Sequence, residues 1–297
     1  MRALILWVAC VSVVSAQDMP LAQLLIEGEG WKEVAAGYQF TEGPAVDDGG
    51  NVFFVDVPAS KIFKIEVATN TVTTFVADSG KASGLMFGGD GRLYACQSGA
   101  RAIVSYDAEG KAKTVCEDVD VNDLVVTKDN RVYWTDPKHH QVWFCDANGK
   151  KRVVDEGIEG PNGIILWADQ RTLVVSDSPT TSVWTFRVAV DGGLEFKQPY
   201  STLMKPAAAK GGTGADGMTV DAAGRTYVTT LWGLQVFDPS GRLSGTIAKP
   251  NDKFMSNVVF AGPQLDTLYV TCTDKVFSRK VKATGVRNFG AAITAAK

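Results

Sequence analysis

The 297-residue sequence is poor in the groups that soft metals and redox cofactors require. It has two histidines, and none of its five cysteines forms a C-x-x-C pair, so a zinc site or a redox dithiol is disfavoured. It has no G-x-S-x-G motif, which argues against a serine hydrolase with a nucleophile elbow. The formal net charge is -3 and no block of roughly five or more like charges occurs, so we exclude DNA and RNA as partners.

Long apolar runs are also scarce, and the one that stands out lies at the N-terminus. Residues 3–14 follow the positive charge of Arg2 and precede Val14-Ser15-Ala16, a pattern typical of a secretory signal peptide. We therefore assign residues 1–16 to a signal peptide and expect export to the periplasm or the extracellular space. A lipid anchor on Cys10 is disfavoured because Trp7-Val8-Ala9 suits such a site poorly. No later run approaches the roughly 18 apolar residues of a transmembrane helix, so no membrane span is expected.

Removal of residues 1–16 would leave four cysteines, and their pairing is open at this point. They are Cys96, Cys116, Cys145 and Cys272. An exported location permits one disulfide, but buried free thiols are an equally good interpretation.

The rest of the sequence is organised by a repeated phrase. Each copy begins with a polar residue, which we call the head residue, followed by an apolar stretch, an Asp/Gly turn and an apolar-aromatic strand. The six head residues are Glu42, Ser83, Asn122, Asn162, Asp216 and Ser256. They are separated by 41, 39, 40, 54 and 40 residues, and a period near 40 indicates a repeat architecture.

Each copy reads as four strands. In the second copy, the predicted strands are residues 84–87, 92–96, 102–106 and 111–116, with turns rich in Asp and Gly between them. No stretch has convincing helical periodicity. Six units of four strands predict an all-β fold, a six-bladed β-propeller that forms a single domain over residues 17–297.

Two further features concern how the ring is built. Residues 31–35 look like a strand ahead of the first copy, and the sixth copy is short, so we expect the N-terminal strand to complete the last blade. The one long interval contains an insertion at residues 205–214, whose flexible composition predicts a loop or lid at the channel mouth.

The head residues predict a central divalent-metal site. Equivalent positions of six blades converge on the channel, and all six heads carry oxygen. Carboxylates and amides are the ligands of hard cations, so Ca²⁺ is favoured, with Mg²⁺ or Mn²⁺ as alternatives and Zn²⁺ less suited. Taken singly, each head is also a common turn residue. Ser83 and Ser256 are the weakest candidates and are expected to be wall positions.

Several phrases, in order, resemble the regucalcin (senescence marker protein)/gluconolactonase/luciferin-regenerating-enzyme-like family. The phrases are Thr41-Glu42-Gly43-Pro44, Asn122-Asp123-Leu124 with Val132-Tyr133-Trp134-Thr135-Asp136-Pro137, Pro161-Asn162-Gly163, Ala215-Asp216-Gly217-Met218 and the run from Gly262 to Thr271. The resemblance implies a calcium-dependent propeller that is often a lactone hydrolase. It implies Glu42, Asn162 and Asp216 as metal ligands, with Asn122 as a fourth ligand in phosphotriesterase-like members.

The sequence also departs from this family. Asp120 stands where many relatives have arginine two residues before the Asn-Asp step, and Val121 replaces a proline. In the segment of residues 96–101, where relatives have His and paired arginines, Arg101 alone remains. The substrate-contacting residues are therefore less well defined than the metal ligands.

We predict a metal-dependent hydrolase of sugar lactones in which Asp216 also takes the proton of the attacking water. Candidate substrate-binding residues are Asn122, Arg101, His139 and Trp232. An exposed loop histidine without a role is the competing interpretation of His139 and His140. The same site would suit a phosphotriester or another ester, and a non-catalytic calcium- or carbohydrate-binding propeller is the alternative from another class. Nothing in the sequence indicates an obligate protein partner.

Overall fold

The computed structural model describes residues 19–287, so the predicted signal peptide lies outside the described residues. Within that range the chain forms 24 β-strands and one short helix, α1 (Leu21–Leu24). The strands form six four-stranded sheets, and consecutive strands pair antiparallel. The all-β, six-bladed propeller is thereby confirmed. No helix in the described range is long and apolar enough to cross a membrane.

Each blade runs from an innermost strand at the channel to an outermost strand at the rim. The strand β1 (Lys32–Ala36) precedes the first blade. Blade 1 contains β2 (Thr41–Val46), β3 (Val52–Asp56), β4 (Lys61–Glu66) and β5 (Thr71–Val76). Blade 2 contains β6 (Ala82–Phe87), β7 (Leu93–Gln97), β8 (Ala102–Tyr106) and β9 (Ala112–Glu117). Blade 3 contains β10 (Leu124–Val126), β11 (Val132–Asp136), β12 (Gln141–Cys145) and β13 (Lys151–Glu156).

The second half of the ring follows the same plan. Blade 4 contains β14 (Pro161–Leu166), β15 (Thr172–Asp177), β16 (Ser182–Val188) and β17 (Leu194–Thr202). Blade 5 contains β18 (Met218–Val220), β19 (Thr226–Thr230), β20 (Gly233–Phe237) and β21 (Leu243–Ile247). Blade 6 contains β22 (Asn257–Ala261), β23 (Thr267–Cys272) and β24 (Lys275–Lys280). We call the face of the ring where the head residues lie the upper face.

The N-terminal strand completes the last blade, as the sequence predicted. β1 pairs antiparallel with β24, with Lys32 opposite Ser278 and Ala36 opposite Lys275. Blade 6 therefore takes its outermost strand from the opposite end of the chain. The amide of Lys282 also donates to the carbonyl of Leu24 (2.8 Å), so both ends of the described chain are tied together.

The core consists of side chains packed between neighbouring blades. Aromatic residues of the second strands, such as Phe54, Trp134 and Tyr227, have no exposed surface. Burying a side chain of this size stabilises the fold by about 1.5–3 kcal/mol. These aromatics pack between neighbouring blades and hold them together.

The four described cysteines divide between the two predicted alternatives. Cys116 on β9 and Cys145 on β12 form a disulfide that links blades 2 and 3. Cys96 and Cys272 are buried free thiols.

The long interval between the fourth and fifth heads has two structural causes. β17 is nine residues long, and the segment from residue 203 to residue 217 contains no strand. The hydroxyl of Thr213 donates to the carbonyl of Thr180 (2.6 Å), and the amide of Gly214 donates to the carbonyl of Ser178 (3.0 Å). The insertion is therefore a loop, and its C-terminal part is fixed to blade 4 at the upper face.

Candidate active site

The six innermost strands bring the head residues together at the upper end of the channel. Backbone hydrogen bonds join the residue after one head to the head of the next blade. The amide of Gly84 donates to the carbonyl of Asn122 (3.0 Å), and the amide of Gly217 donates to the carbonyl of Ser256 (2.8 Å). The spacing of about 40 residues in the sequence thus becomes a continuous ring of heads.

The two serine heads belong to the wall of this ring. The hydroxyl of Ser83 donates to the carbonyl of Asn122 in the next blade. The hydroxyl of Ser256 donates to the carbonyl of Thr41 in blade 1 (2.9 Å). Both hydroxyls bond backbone between blades, as expected for wall positions.

The two asparagine heads face one another. The side-chain amide of Asn122 donates to the side-chain oxygen of Asn162 across 2.6 Å. Both side chains are partly exposed, so their remaining polar atoms keep access to solvent or a ligand. The structure therefore brings together the two neutral oxygen donors that the sequence predicted.

Glu42 is a buried carboxyl group that has no cationic partner among residues 19–287. Its side chain is 9% exposed, and Oε2 accepts hydrogen bonds from the amide of Gly43 and from Nδ2 of Asn257 (3.2 Å). Burial raises the pKa of Glu42 to about 7 because the anion loses hydration that these bonds only partly replace.

Two further carboxyl groups share this environment. Burial, and secondarily the charge of Glu42, raises the pKa of Asp123 to about 7. Burial, then the charges of Glu42 and Asp123, raises the pKa of Asp216 well above its usual range. No cation contributes to the pKa of any of the three carboxyls.

Sequence reasoning did not select Asp123 or Asn257. The residue after the head is glycine in four blades, but in blades 3 and 6 it is Asp123 and Asn257. A Cβ atom on Gly84 would lie 2.3 Å from Oδ1 of Asp123, and one on Gly217 would lie 1.9 Å from Oδ1 of Asn257. The neighbouring glycines therefore make room for these two polar side chains, and the break in the glycine pattern was the available signal.

The central residues fit a hard divalent cation. Glu42, Asp123 and Asp216 concentrate negative charge where burial makes it costly, and Asn122 and Asn162 add amide oxygens. An uncompensated set of desolvated carboxylates is stabilised by a bound cation, and oxygen donors suit calcium or magnesium. Glu42, Asn162 and Asp216 would hold such an ion, with Asn122 beside them.

A second acidic group lies nearby and has a different character. Asp120, Asp136 and His139 form the one group of three acidic, histidine or cysteine ligand atoms within 4.8 Å of one another in residues 19–287. Asp120 already pairs with Arg101 and with Lys138 (3.2 Å). These two cations offset its charge, so this group is less suited to a metal ion than the central one.

The predicted substrate-binding residues lie in upper-face turns of several blades. Arg101 is in the β7–β8 turn, where its guanidinium pairs with Asp120 of the next blade. His139 is in the β11–β12 turn, and Trp232 is in the β19–β20 turn, where it is partly buried. The described contacts tie Arg101 and His139 into one polar cluster, whereas Trp232 belongs to another blade.

A cavity of about 570 Å³ continues down the channel from this site. Asp123 and Asn257 line it, together with innermost-strand residues such as Val125 and Phe260. Val286 and Arg287 also line it, and the guanidinium of Arg287 donates to the carbonyl of Asp48 in blade 1. The C-terminal part of the described chain thus borders the channel.

The fold and the site define a six-bladed propeller with an oxygen-rich centre at the head of its channel. The sequence profile of the SMP-30/Gluconolactonase/LRE-like region matches residues 40–274. This match extends over more than half of the chain, so the chain belongs to that family, as the resemblance of its motifs predicted.

Similar proteins include a curated enzyme and solved structures. The gluconolactonase of Zymomonas mobilis is 25% identical over 290 residues, which cover 85% of this chain and 81% of that protein. A gluconolactonase structure from Xanthomonas campestris has a TM-score of 0.77 at 23% identity and covers 88% of this chain and 92% of its own. The structure of regucalcin from Agrobacterium tumefaciens, a calcium-binding protein, has a TM-score of 0.73 at 17% identity and covers 87% of this chain and 96% of its own. At these identities the two structures establish the shared fold.

Proposed function

We propose that this chain is a lactonase that hydrolyses sugar lactones with the help of a divalent cation, calcium, at the channel head. The observation that carries the proposal is the set of three carboxyl groups, Glu42, Asp123 and Asp216, whose pKa values burial raises and no cation lowers. Membership of the family and the similarity to a gluconolactonase support the substrate class. The calcium-binding regucalcin among the structural neighbours supports the choice of ion.

The residues of the site have two roles, which are binding of the ion and transfer of a proton. Glu42, Asn162 and Asp216 would hold the ion, and Asn122, hydrogen-bonded to Asn162, would be the fourth donor. A divalent ion bound there supplies Lewis acidity that makes the lactone carbonyl carbon more electrophilic. Asp123 and Asn257 lie behind this set, where the amide of Asn257 fixes the carboxyl group of Glu42.

Asp216 takes the proton of the attacking water. The water oxygen bonds to the carbonyl carbon, the ring C–O bond breaks, and the product is a hydroxy acid. A carboxylate held beside the carbonyl can accept the proton that the water loses as its oxygen attacks. The site thus combines a polarised carbonyl with a nearby base.

Substitution of Asp216 tests this assignment. We expect Asp216→Ala and Asp216→Asn to lower the rate of glucono-δ-lactone hydrolysis by about 10²–10⁴-fold, the usual contribution of a general base, or more. Ser83→Ala is the matched control because Ser83 is also a head residue but bonds only backbone carbonyls. It should remain within a few-fold of wild type.

Two outcomes would contradict the proposal. A folded Asp216→Ala variant with the wild-type rate would exclude Asp216 as base and ligand. A wild-type protein that binds calcium and lactone without turnover would instead support a non-catalytic binding propeller. Export to the periplasm or extracellular space is part of the same proposal and rests on residues 1–16.

A further inference from the structure

His139 and Asp136 form a hydrogen-bonded pair at the upper face of blade 3. Asp136 is the last residue of β11 and is 2% exposed. One carboxylate oxygen accepts the backbone amide of His139 (3.1 Å), and the other lies 2.7 Å from its Nδ1. These two contacts fix both the backbone and the ring of His139, whose side chain is 48% exposed.

An aspartate also ends the second strand of blades 1 and 4, but there its carboxylate does not bond a histidine. Asp56 ends β3 and accepts the amides of Gln39 (3.1 Å) and Phe40 (3.0 Å). Asp177 ends β15 and accepts the amide of Gly160 (2.9 Å) and Nε1 of Trp184 (3.2 Å). In blades 1 and 4 the carboxylate therefore anchors the loop that leads to the head residue.

In blade 3 a tryptophan anchors the loop that leads to the head residue, and the carboxylate of Asp136 bonds His139 instead. Nε1 of Trp134 donates to the carbonyl of Asp120, two residues before the head Asn122. The carboxylate of Asp120 lies 3.6 Å from Nδ1 of His139 and is paired with Arg101 and Lys138. The pairing of Asp136 with an imidazole is therefore particular to this blade, rather than a repeated structural bond.

The pair lies on the same face as the proposed metal ligands. The backbone carbonyl of Thr135 accepts a hydrogen bond from the amide of Asn122 (3.0 Å). The hydroxyl of Thr135 donates to the carbonyl of Asn162 (2.7 Å). Asp136 is the next residue along the chain. No hydrogen bond of Nε2 of His139 occurs within residues 19–287, so this nitrogen is available to a ligand at the upper face.

We propose that His139 is the acid that protonates the leaving ring oxygen, with Asp136 as its positioning residue. This inference rests on the proposed lactonase function. In the step, the ring C–O bond breaks and the proton on Nε2 passes to the departing alkoxide. The water proton goes to Asp216, and solvent later returns a proton from Asp216 to His139. The hydrogen bond between Asp136 and Nδ1 holds the ring in place and leaves Nε2 for the substrate.

The test compares two leaving groups. The ring oxygen of glucono-δ-lactone leaves as an aliphatic alkoxide, which is strongly basic and requires protonation. That of dihydrocoumarin leaves as a phenoxide, whose conjugate acid has a pKa of about 10 and which departs without help. We expect His139→Gln to lower kcat by about 10²-fold or more on the aliphatic lactone, the contribution of a general acid, and by less than ~10-fold on the aryl lactone.

Asp136→Asn should give the same unequal pattern with a smaller loss. Asp177→Asn is the matched control, because it removes the equivalent carboxylate of blade 4 and should affect both substrates by one common factor. His140→Gln removes the neighbouring imidazole, whose Nδ1 contacts the carbonyl of Glu159, and should change neither rate.

The possible failures are distinct. Equal losses on both lactones for His139→Gln, or no loss on either, would overturn the role of His139 while leaving the lactonase assignment intact. If wild type hydrolyses neither lactone, the proposed function fails, and the inference that rests on it fails with it.

Discussion

At the scale of single residues, the site is defined by carboxyl groups whose ionised form is destabilised by the loss of hydration. Glu42 and Asp123 have pKa values of about 7, above the ordinary values of 4.5 and 3.8. Between about pH 4 and pH 7, these two carboxyls are therefore protonated in the metal-free native state and ionised in the unfolded state. Because the native state binds more protons in this range, its stability falls as pH rises through the range, and then levels off.

This proton balance gives a prediction about calcium and pH. The cation binds the carboxylates in their deprotonated form. Below pH 7, each proton that must be released on binding therefore lowers the affinity for the cation about tenfold per pH unit. We expect the rise in Tm on adding CaCl₂ to an EDTA-treated sample to be larger at pH 7.5 than at pH 5.5. Asp123→Asn should reduce this pH dependence. Equal shifts at both pH values in wild type would show that binding of the ion releases no proton from the central carboxyls.

At the scale of strands, the contact between neighbouring heads depends on glycine. Gly217 lies against Asn257, and a Cβ atom there would come within 1.9 Å of its side chain. Gly217→Ala must displace Asn257, which in turn supports Glu42.

We expect Gly217→Ala to lower the free energy of unfolding by about 1–3 kcal/mol, the usual effect of overpacking. Urea denaturation measures this change. Gly30→Ala is the control because a Cβ at that position meets no atom within 4 Å. A Gly217→Ala variant as stable as Gly30→Ala would mean that the heads repack freely.

The strands were predictable because their signals are local. Asp/Gly turns and apolar alternation placed the second blade within two residues of its observed bounds, and the short sixth copy indicated that β1 would pair with β24. Asp123 and Asn257 were missed for a non-local reason. The break in the glycine pattern is visible in the sequence, but the hydrogen bond of Asn257 to Glu42 spans 215 positions and forms only when blades 1 and 6 become neighbours.

The role of Asp136 could not be read from the sequence either. Asp56, Asp136 and Asp177 end equivalent strands, and the chain alone does not reveal which of them accepts a backbone amide and which an imidazole. That difference depends on Trp134 reaching the carbonyl of Asp120, a contact between side chain and loop.

At the scale of the whole molecule, closure of the ring creates the site. Glu42 and Asn257 are 215 positions apart, yet their side chains form a hydrogen bond because blades 1 and 6 are neighbours. The pairing of β1 with β24 and the disulfide between blades 2 and 3 hold this ring together. The central carboxyls therefore face one channel only in the closed propeller, and a cation bound at the head of that channel would stabilise the closed state.

Lactone hydrolysis by metal-depleted protein is the most direct test of this account. The chain from Gln17 onward is treated with EDTA, dialysed, and assayed on glucono-δ-lactone before and after addition of CaCl₂. We expect a rate near the uncatalysed background without the ion and recovery of the rate on addition of calcium. Full activity in EDTA, or no activity at any calcium concentration, would contradict it.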